Sequence, residues 1–336
     1  MRPFTRRWVT ALVYMVTLCA VSLLVAVTPE VGADAHGTTP VHRGDATIHP
    51  HTIFGSGYDL VGSDGGVFVF PTGNPLAGGF FGSLPQINVT VKNIVGITPT
   101  NYYSGYDLVG SDGGVFVFPA SQSGGYFGSL PGLGINVSNI VGIVPTYHST
   151  GYDLVGSDGG VFAFPVGQTS GFFGSLPGKG ISASDIVGIA ATPDDKGYWL
   201  LGSDGTVYAF GDALFFGDNL EYCAGGERTY GCTYAFPGAR FVGIASTPTG
   251  KGYWLVTSTG QVENLGDAPS LNHLTGVRAS NIVSIVPTSS GYGYWLVASD
   301  GGIYAFGDAT FIGSLPGLGV SATNIVGAVP TVWTQP

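Results

Sequence analysis

Charge is what this chain has least of. Among its 336 residues 11 are Lys or Arg and 21 are Asp or Glu, so charged residues make up 10% of the whole. With a formal charge of −10 and so few cations, the sequence offers nucleic acid no basic patch to bind. The outer surface must be wetted by Ser, Thr, Asn, Gly and Tyr instead, a composition that suits a secreted or wall-associated protein. Cysteine is scarce as well: Cys19 lies in the leading apolar run, which leaves Cys223 and Cys232. Of the six histidines, only His148 and His273 lie beyond residues 36–51. There is no Gly-x-Ser-x-Gly elbow, no His-Glu-x-x-His, no phosphate-cradling loop and no dinucleotide fingerprint. The motifs give no reason to expect catalysis, a cofactor or a metal site.

What is present is repetition. A phrase beginning Gly293-Tyr294-Trp295-Leu296-Val297-Ala298-Ser299-Asp300-Gly301-Gly302 occurs six times, opening at Gly57, Gly105, Gly151, Gly197, Gly252 and Gly293. The spacings are 48, 46, 46, 55 and 41 residues, a period that marks solenoids, propellers and arrays. Each copy holds four short runs rich in β-branched and aromatic residues. In the first copies they are A (Asn93-Ile94-Val95-Gly96-Ile97), B (Tyr58 to Gly62), C (Val67-Phe68-Val69-Phe70) and D (Phe80-Phe81-Gly82-Ser83). All are too short for helices and read as strands. Asp64-Gly65 and its counterparts between B and C predict two-residue type I′ hairpin turns. The fifth copy has Ser258-Thr259-Gly260-Gln261 there, which predicts a less regular hairpin.

In run C both faces are apolar, with Phe68 and Phe70 on one and Val67 and Val69 on the other. Sheets buried on both sides must be sandwiched between neighbours, as radially packed propeller blades are. The first copy lacks run A, and an extra run A, Asn324 to Ala328, follows the last copy. Pairing the surplus run beside Tyr58 to Gly62 would close the ring and leave no open edge. The expectation is an all-β, six-bladed β-propeller of four-stranded antiparallel blades over residues 57–332, with a tail at 333–336.

Before it, Arg2, Arg6 and Arg7 precede an apolar run from Trp8 to Val27 and small-residue sites near Ala33 and Ala35. Residues 1–33 read as a helical secretory signal peptide, with an uncleaved membrane anchor as the alternative. Residues 34–56 are a polar leader. Its His36, His42, His49 and His51 have no fixed ligand spacing, and a disordered stalk accounts for them better than a metal site.

Copies one to three differ from copies four to six. The first three carry Asp59, Asp107 and Asp153 where the others carry Trp199, Trp254 and Trp295, and they join C to D through Pro71, Pro119 and Pro165 instead of Gly-Asp-Ala. Cys223 and Cys232 flank a Gly-containing loop in the insertion of copy four and read as a disulfide, the alternative being a metal or redox pair. Asn88-Val89-Thr90 and Asn136-Val137-Ser138 are formal glycosylation sequons.

The phrase Gly-Tyr-Trp-Leu-Val-x-Ser-Asp-Gly-Gly-x-x-x-Phe-Gly-Asp-Ala resembles the repeats of secreted, largely uncharacterised actinobacterial proteins, and loosely those of kelch and quinoprotein propellers. The resemblance covers Gly57 to Thr331 and implies a propeller module of the kind that accompanies wall-active domains. The expected role is a secreted or cell-surface, non-catalytic binding module, monomeric, with a cell-wall glycan or a surface protein as partner. Membrane contact is expected only through an uncleaved N-terminal segment. The candidate ligand-binding residues are Tyr102, Tyr103, Tyr147 and His148 on the A-to-B loops, beside Asp59, Asp107 and Asp153 at the starts of the B strands. Exposed aromatics beside carboxylates stack on sugar rings and hydrogen-bond their edges. The alternatives are a polysaccharide-active propeller enzyme with carboxylates paired across the axis and a structural spacer without ligand.

Overall fold

The computed structural model describes residues 57–70, 80–100, 105–119, 125–146, 150–166, 171–223, 232–274 and 281–330. All belong to the compact unit Ile48–Pro336. The expected signal segment, the leader and the tail lie outside the described residues. Among the described residues no helix is long and apolar enough to cross a membrane.

The described residues form six antiparallel sheets of three strands and one two-stranded hairpin. Blade 1 contains β1 (Tyr58–Gly62) and β2 (Val67–Phe70). Blade 2 is β3 (Ile94–Pro99), β4 (Tyr106–Gly110) and β5 (Val115–Phe118); blade 3 is β6 (Ile140–Pro145), β7 (Tyr152–Gly156) and β8 (Val161–Phe164). Blade 4 is β9 (Ile186–Ala191), β10 (Gly197–Gly202) and β11 (Val207–Gly211), followed by a hairpin of β12 (Leu220–Cys223) and β13 (Cys232–Tyr234). Blade 5 is β14 (Phe241–Ser246), β15 (Gly252–Thr257) and β16 (Val262–Gly266); blade 6 is β17 (Ile282–Pro287), β18 (Gly293–Ala298) and β19 (Ile303–Gly307). The final strand, β20 (Ile325–Pro330), pairs antiparallel with β1, setting Leu60 opposite Ala328 and Tyr58 opposite Pro330.

The first strands of the sheets touch in the order β3, β6, β9, β14, β17, β20 and back to β3, which makes the arrangement propeller-like. Their repeated Val-Gly-Ile, Val-Ser-Ile and Val-Gly-Ala triplets line a central channel of about 140 Å³. The middle strands β1, β4, β7, β10, β15 and β18 are buried along their whole length. The apolar core is divided among seams between adjacent blades. One such cluster takes Val109, Val115 and Leu130 from blade 2 with Ile143, Tyr152, Leu154 and Phe164 from blade 3. Burying one such Leu or Val stabilises by roughly 1.5–3 kcal/mol, so each seam outweighs any single hydrogen bond in it.

The fourth run is not a strand: among the described residues each D segment is irregular, and the expected four-stranded blade has three strands. The reason lies in the Phe-Gly-Ser phrase. Gly82 (φ 129°) and its counterpart Gly128 (φ 130°) take a backbone conformation that L side chains rarely adopt, which breaks the extended chain. A Cβ on Gly82 would stand 2.8 Å from the Phe118 ring of the following blade, so only glycine allows that approach. Beyond it, Pro85–Ile87, Pro131–Leu133, Pro177–Lys179 and Pro316–Leu318 form single 3₁₀ turns.

The B-to-C hairpins also differ from expectation. Gly65 N–H donates to the Gly62 carbonyl at 2.8 Å, and Gly65 has φ of 75° while Asp64 does not have positive φ. This is a four-residue turn with one left-handed glycine, the bulged alternative to type I′. Asp64 serves the turn by accepting from the Gly66 N–H at 3.0 Å. The fifth copy is just as regular: Gly260 has φ of 80° and donates to the Thr257 carbonyl at 2.9 Å. There the Thr257 hydroxyl accepts from the Gln261 N–H at 3.0 Å and takes over the carboxylate's part.

Candidate functional site

The second residue of every Gly-Tyr phrase is a tyrosine that fastens one blade to the D segment of the blade before it. The Tyr58 hydroxyl donates to the Gly313 carbonyl at 2.6 Å and accepts from the Gly313 N–H at 3.0 Å. Tyr106, Tyr152 and Tyr198 donate in the same way to Gly82, Gly128 and Gly174. Burial pushes these hydroxyls above the ordinary tyrosine value, for Tyr253 up to about 12, so they remain donors at any physiological pH.

The third residue divides the ring in two. In blades 4 to 6 it is a buried tryptophan. Trp199, Trp254 and Trp295 meet Tyr253, Tyr294 and Tyr58 in tilted or edge-on pairs with centroids 5.4, 5.9 and 5.4 Å apart. Each indole N–H donates to a carbonyl fifteen residues on: Leu214 at 2.8 Å, Pro269 at 3.1 Å and Thr310 at 2.9 Å. The aspartate of each Gly-Asp-Ala phrase ties the A-to-B loop to the C-to-D turn, with Thr247 donating to Asp267 at 2.9 Å and Thr288 to Asp308 at 2.8 Å.

In blades 1 to 3 the same position is Asp59, Asp107 or Asp153, each 3% exposed. Asp107 Oδ1 and Asp153 Oδ1 have no hydrogen-bond partner among the described residues. Burial pushes both carboxyls up to about 8, with the charge of Asp195 adding to the effect at Asp153. The three carboxylates therefore sit inside seams, each beside the tyrosine of the following blade, and none lines the central channel. They are buried, where the sequence reading placed them among exposed groups. Tyr102, Tyr103, Tyr147 and His148 lie outside the described residues. Among the described residues no three His, Cys, Asp or Glu side chains converge as metal ligands. In the blade 4 insertion the backbone register sets Cys223 directly opposite Cys232.

The aromatic surface that the structure does show belongs to the D segments. Phe80, Tyr126, Phe172, Phe215 and Phe311 occupy one repeat position and are each about half exposed, from 49% to 56%. Their neighbours in sequence turn inward: Phe81, Phe127, Phe173 and Phe216 pack on Tyr106, Tyr152, Tyr198 and Tyr253 with centroids 5.7 to 5.8 Å apart. In four of the five copies the residue after the outer ring is thus anchored on a tyrosine of the following blade. Ile87, Leu133 and Leu318 on the 3₁₀ turns are exposed as well. The Phe-Phe doublet was the available signal, because two adjacent aromatics in an extended segment face opposite ways and a seam covers one of them.

No protein-family model matches the chain, and no curated protein matches it. Among solved structures it is similar to the β-propeller domain of Myceliophteria thermophila Cps50 (Swd1), at 12% identity and a TM-score of 0.39. That match covers 64% of this chain and 65% of the other, just under two thirds of its length.

Proposed function

We propose that this chain is a non-catalytic binding module, secreted or displayed at the cell surface, that holds a polymeric cell-wall glycan through the repeated aromatics of its D segments. The observation that carries this reading is the set of five half-exposed rings, Phe80, Tyr126, Phe172, Phe215 and Phe311, at one repeat position. Flat aromatic faces stack on the apolar faces of sugar rings, and an aromatic side chain has few rotamers to lose on binding. One ring in each of five repeat copies suits a repeating polymer, since linked weak sites multiply in avidity when their spacing allows simultaneous engagement. The low charge suits a neutral glycan.

Catalysis is the weaker reading, because Asp59, Asp107 and Asp153 occupy separate buried seams while the channel is lined by Val, Gly, Ser, Ile and Ala. A surface protein as partner is favoured by the exposed Ile87, Leu133 and Leu318. The signal segment, the monomeric state and the Cys223–Cys232 disulfide belong to the same proposal.

The test is co-sedimentation with purified wall polymer. Replacing Phe80, Phe172 and Phe311 together by Ala should reduce retention at least tenfold while circular dichroism and the unfolding midpoint stay within error. Unchanged retention would remove the glycan reading. Loss only on replacing Ile87, Leu133 and Leu318, with binding to a surface protein instead of polymer, would replace it by the protein reading.

A further inference from the structure

We propose that the corner of blade 5, where the segment entering β14 meets the β15–β16 turn, is a second ligand site that takes the carboxylate of an acidic sugar of the uronate class. It goes beyond the neutral polymer assigned to the outer aromatics and does not use them. A cavity of about 390 Å³ opens at this corner, with Phe236, Arg240, Ser258, Thr259 and Gln261 in its lining. Pockets for small molecules run from roughly 300 to 1,000 Å³, so this one has room for a sugar unit with its substituents. Among the described residues no acidic side chain lines it. Arg240 is the one arginine of the described residues; it is exposed and takes part in no ion pair among them.

The corner belongs to the repeat, and copy five reverses its charge. In the other blades the residue before the first strand is Asn, or Asp185 in blade 4, and the turn facing it carries Asp. The carbonyl of that residue accepts from the turn serine at 2.8 Å in all six blades, Ser258 to Arg240 included, so backbone pairing puts Arg240 where the asparagines stand. In blade 2 a Cβ on Gly110 would lie 2.5 Å from Asp112 Oδ1 and 2.9 Å from Asn93 Nδ2, so both side chains turn over one glycine. Blade 5 replaces the asparagine by Arg240, the aspartate by Thr259 and the glycine by Thr257. Arg240 with Thr259 gives this corner a formal charge of +1, where an Asn-Asp pair gives −1 and Asp185 with Asp204 gives −2. Two separate substitutions thus act in the same direction.

The other side chains at the corner add neutral donors. The Thr259 hydroxyl donates to Gln261 Oε1 at 3.3 Å, which leaves the amide N–H groups of Gln261 to serve a ligand together with the Ser258 hydroxyl and the guanidinium. A guanidinium matches a planar carboxylate, which it can hold by two parallel hydrogen bonds. One cation balances one carboxylate, whereas a phosphate monoester with nearly two negative charges would be repelled by a chain of formal charge −10. Phe236, partly buried and meeting Phe241 and His273 with centroids 6.5 Å apart, gives the cavity an aromatic wall for the sugar ring.

The full chain is titrated with sodium glucuronate at low ionic strength and followed by calorimetry and ligand-observed NMR. Glucuronate should bind at one site, added salt should weaken it, and glucose should not bind. Arg240→Asn combined with Thr259→Asp gives copy five the residues of the other copies, so that variant should fold as the parent does while glucuronate affinity falls about tenfold or more. Arg240→Ala, at an exposed position, gives the same reading alone, and Arg240→Lys, which keeps the charge without the fork, should retain part of the affinity. The variant lacking the Phe80, Phe172 and Phe311 rings should bind glucuronate as the parent does, so failure of the aromatic row and failure of this site are read separately. No glucuronate binding by the parent overturns the proposal, as does binding that survives Arg240→Ala. Acetate held as tightly as glucuronate would mean an adventitious anion contact only, and an acidic peptide held more tightly would mean a protein ligand; each overturns the assignment to a sugar.

Discussion

Asp107 shows what one substitution does inside this repeat. Where blades 4 to 6 fill the position with an indole that bonds a carbonyl, blade 2 buries a carboxyl whose Oδ1 meets no donor. Burial raises its pKa from 3.8 to about 8, so between those values the folded chain holds a proton that the unfolded chain releases. Stability from this group is therefore greatest at low pH and declines as pH rises through about 8, the reverse of a salt-bridged aspartate. A tenfold change in proton affinity corresponds to about 1.4 kcal/mol, so the raised pKa amounts to a few kcal/mol between the two protonation states. Asp107→Asn should flatten the decline, its advantage over the parent widening steadily from pH 5 to pH 8.5 in urea unfolding. Parallel curves for the two proteins would refute the assignment. The sequence exposed the Asp-for-Trp exchange at once. It could not tell that the side chain faces a seam, because strand alternation says which residues share a face and not what covers that face.

The D segment is where local pattern and tertiary structure part company. Its aromatic and β-branched content matches a strand, yet Gly82 and its counterparts bend it out of the extended region so that it serves two blades at once. Leu84 donates its N–H to the Gly65 carbonyl of its own hairpin at 3.1 Å, while the Gly82 carbonyl accepts from Tyr106 in the next blade. Runs A, B and C are legible because both of their ladders form within one repeat copy or with the copy next to it. Run D misleads because its partners are side chains: a tyrosine hydroxyl and a phenylalanine ring of the following copy leave no period-2 signature. The hairpin turn misleads for a smaller reason, since Asp-Gly suits both a type I′ turn and a turn whose glycine alone is left-handed. If the tyrosine clamp matters, Tyr152→Phe should cost about 1–2 kcal/mol, because it strands the buried Gly128 carbonyl and the Phe127 N–H that reaches the hydroxyl at 3.3 Å. Tyr126→Phe, on a half-exposed ring whose hydroxyl donates to Ser129 at 3.1 Å, should cost a few tenths at most. Equal losses in denaturant unfolding would mean that the clamp contributes nothing beyond its ring.

At the scale of the whole molecule, a core divided into six seams makes each blade depend on both neighbours, as in stacked repeat proteins, where interfaces between units supply the stability. The seam between blades 6 and 1 joins residues far apart in the chain, Tyr58 with Trp295 and Phe70 with Gly313, and blade 1 itself pairs β1 with β20. A seam built from such distant residues forms only after the intervening blades have ordered, so it should hold the ring's cooperativity. Ending the chain after Asn324 removes β20 and with it Ile325 and Val329, 1% and 8% exposed. Their burial alone is worth roughly 3–6 kcal/mol, a large part of the roughly 5–15 kcal/mol that holds an ordinary domain together. The edge of β1 would then be left unpaired, an invitation to pair with another chain. The truncated protein should unfold in a broadened transition at lower urea and run as oligomers on size exclusion. Adding a peptide of residues 321–336 in trans should restore both the midpoint and the elution volume of the full chain. A truncated chain that stays monomeric and unfolds where the full chain does would show that blade 1 stands without its returning strand, and that the seams, not the returning strand, set the stability of the ring.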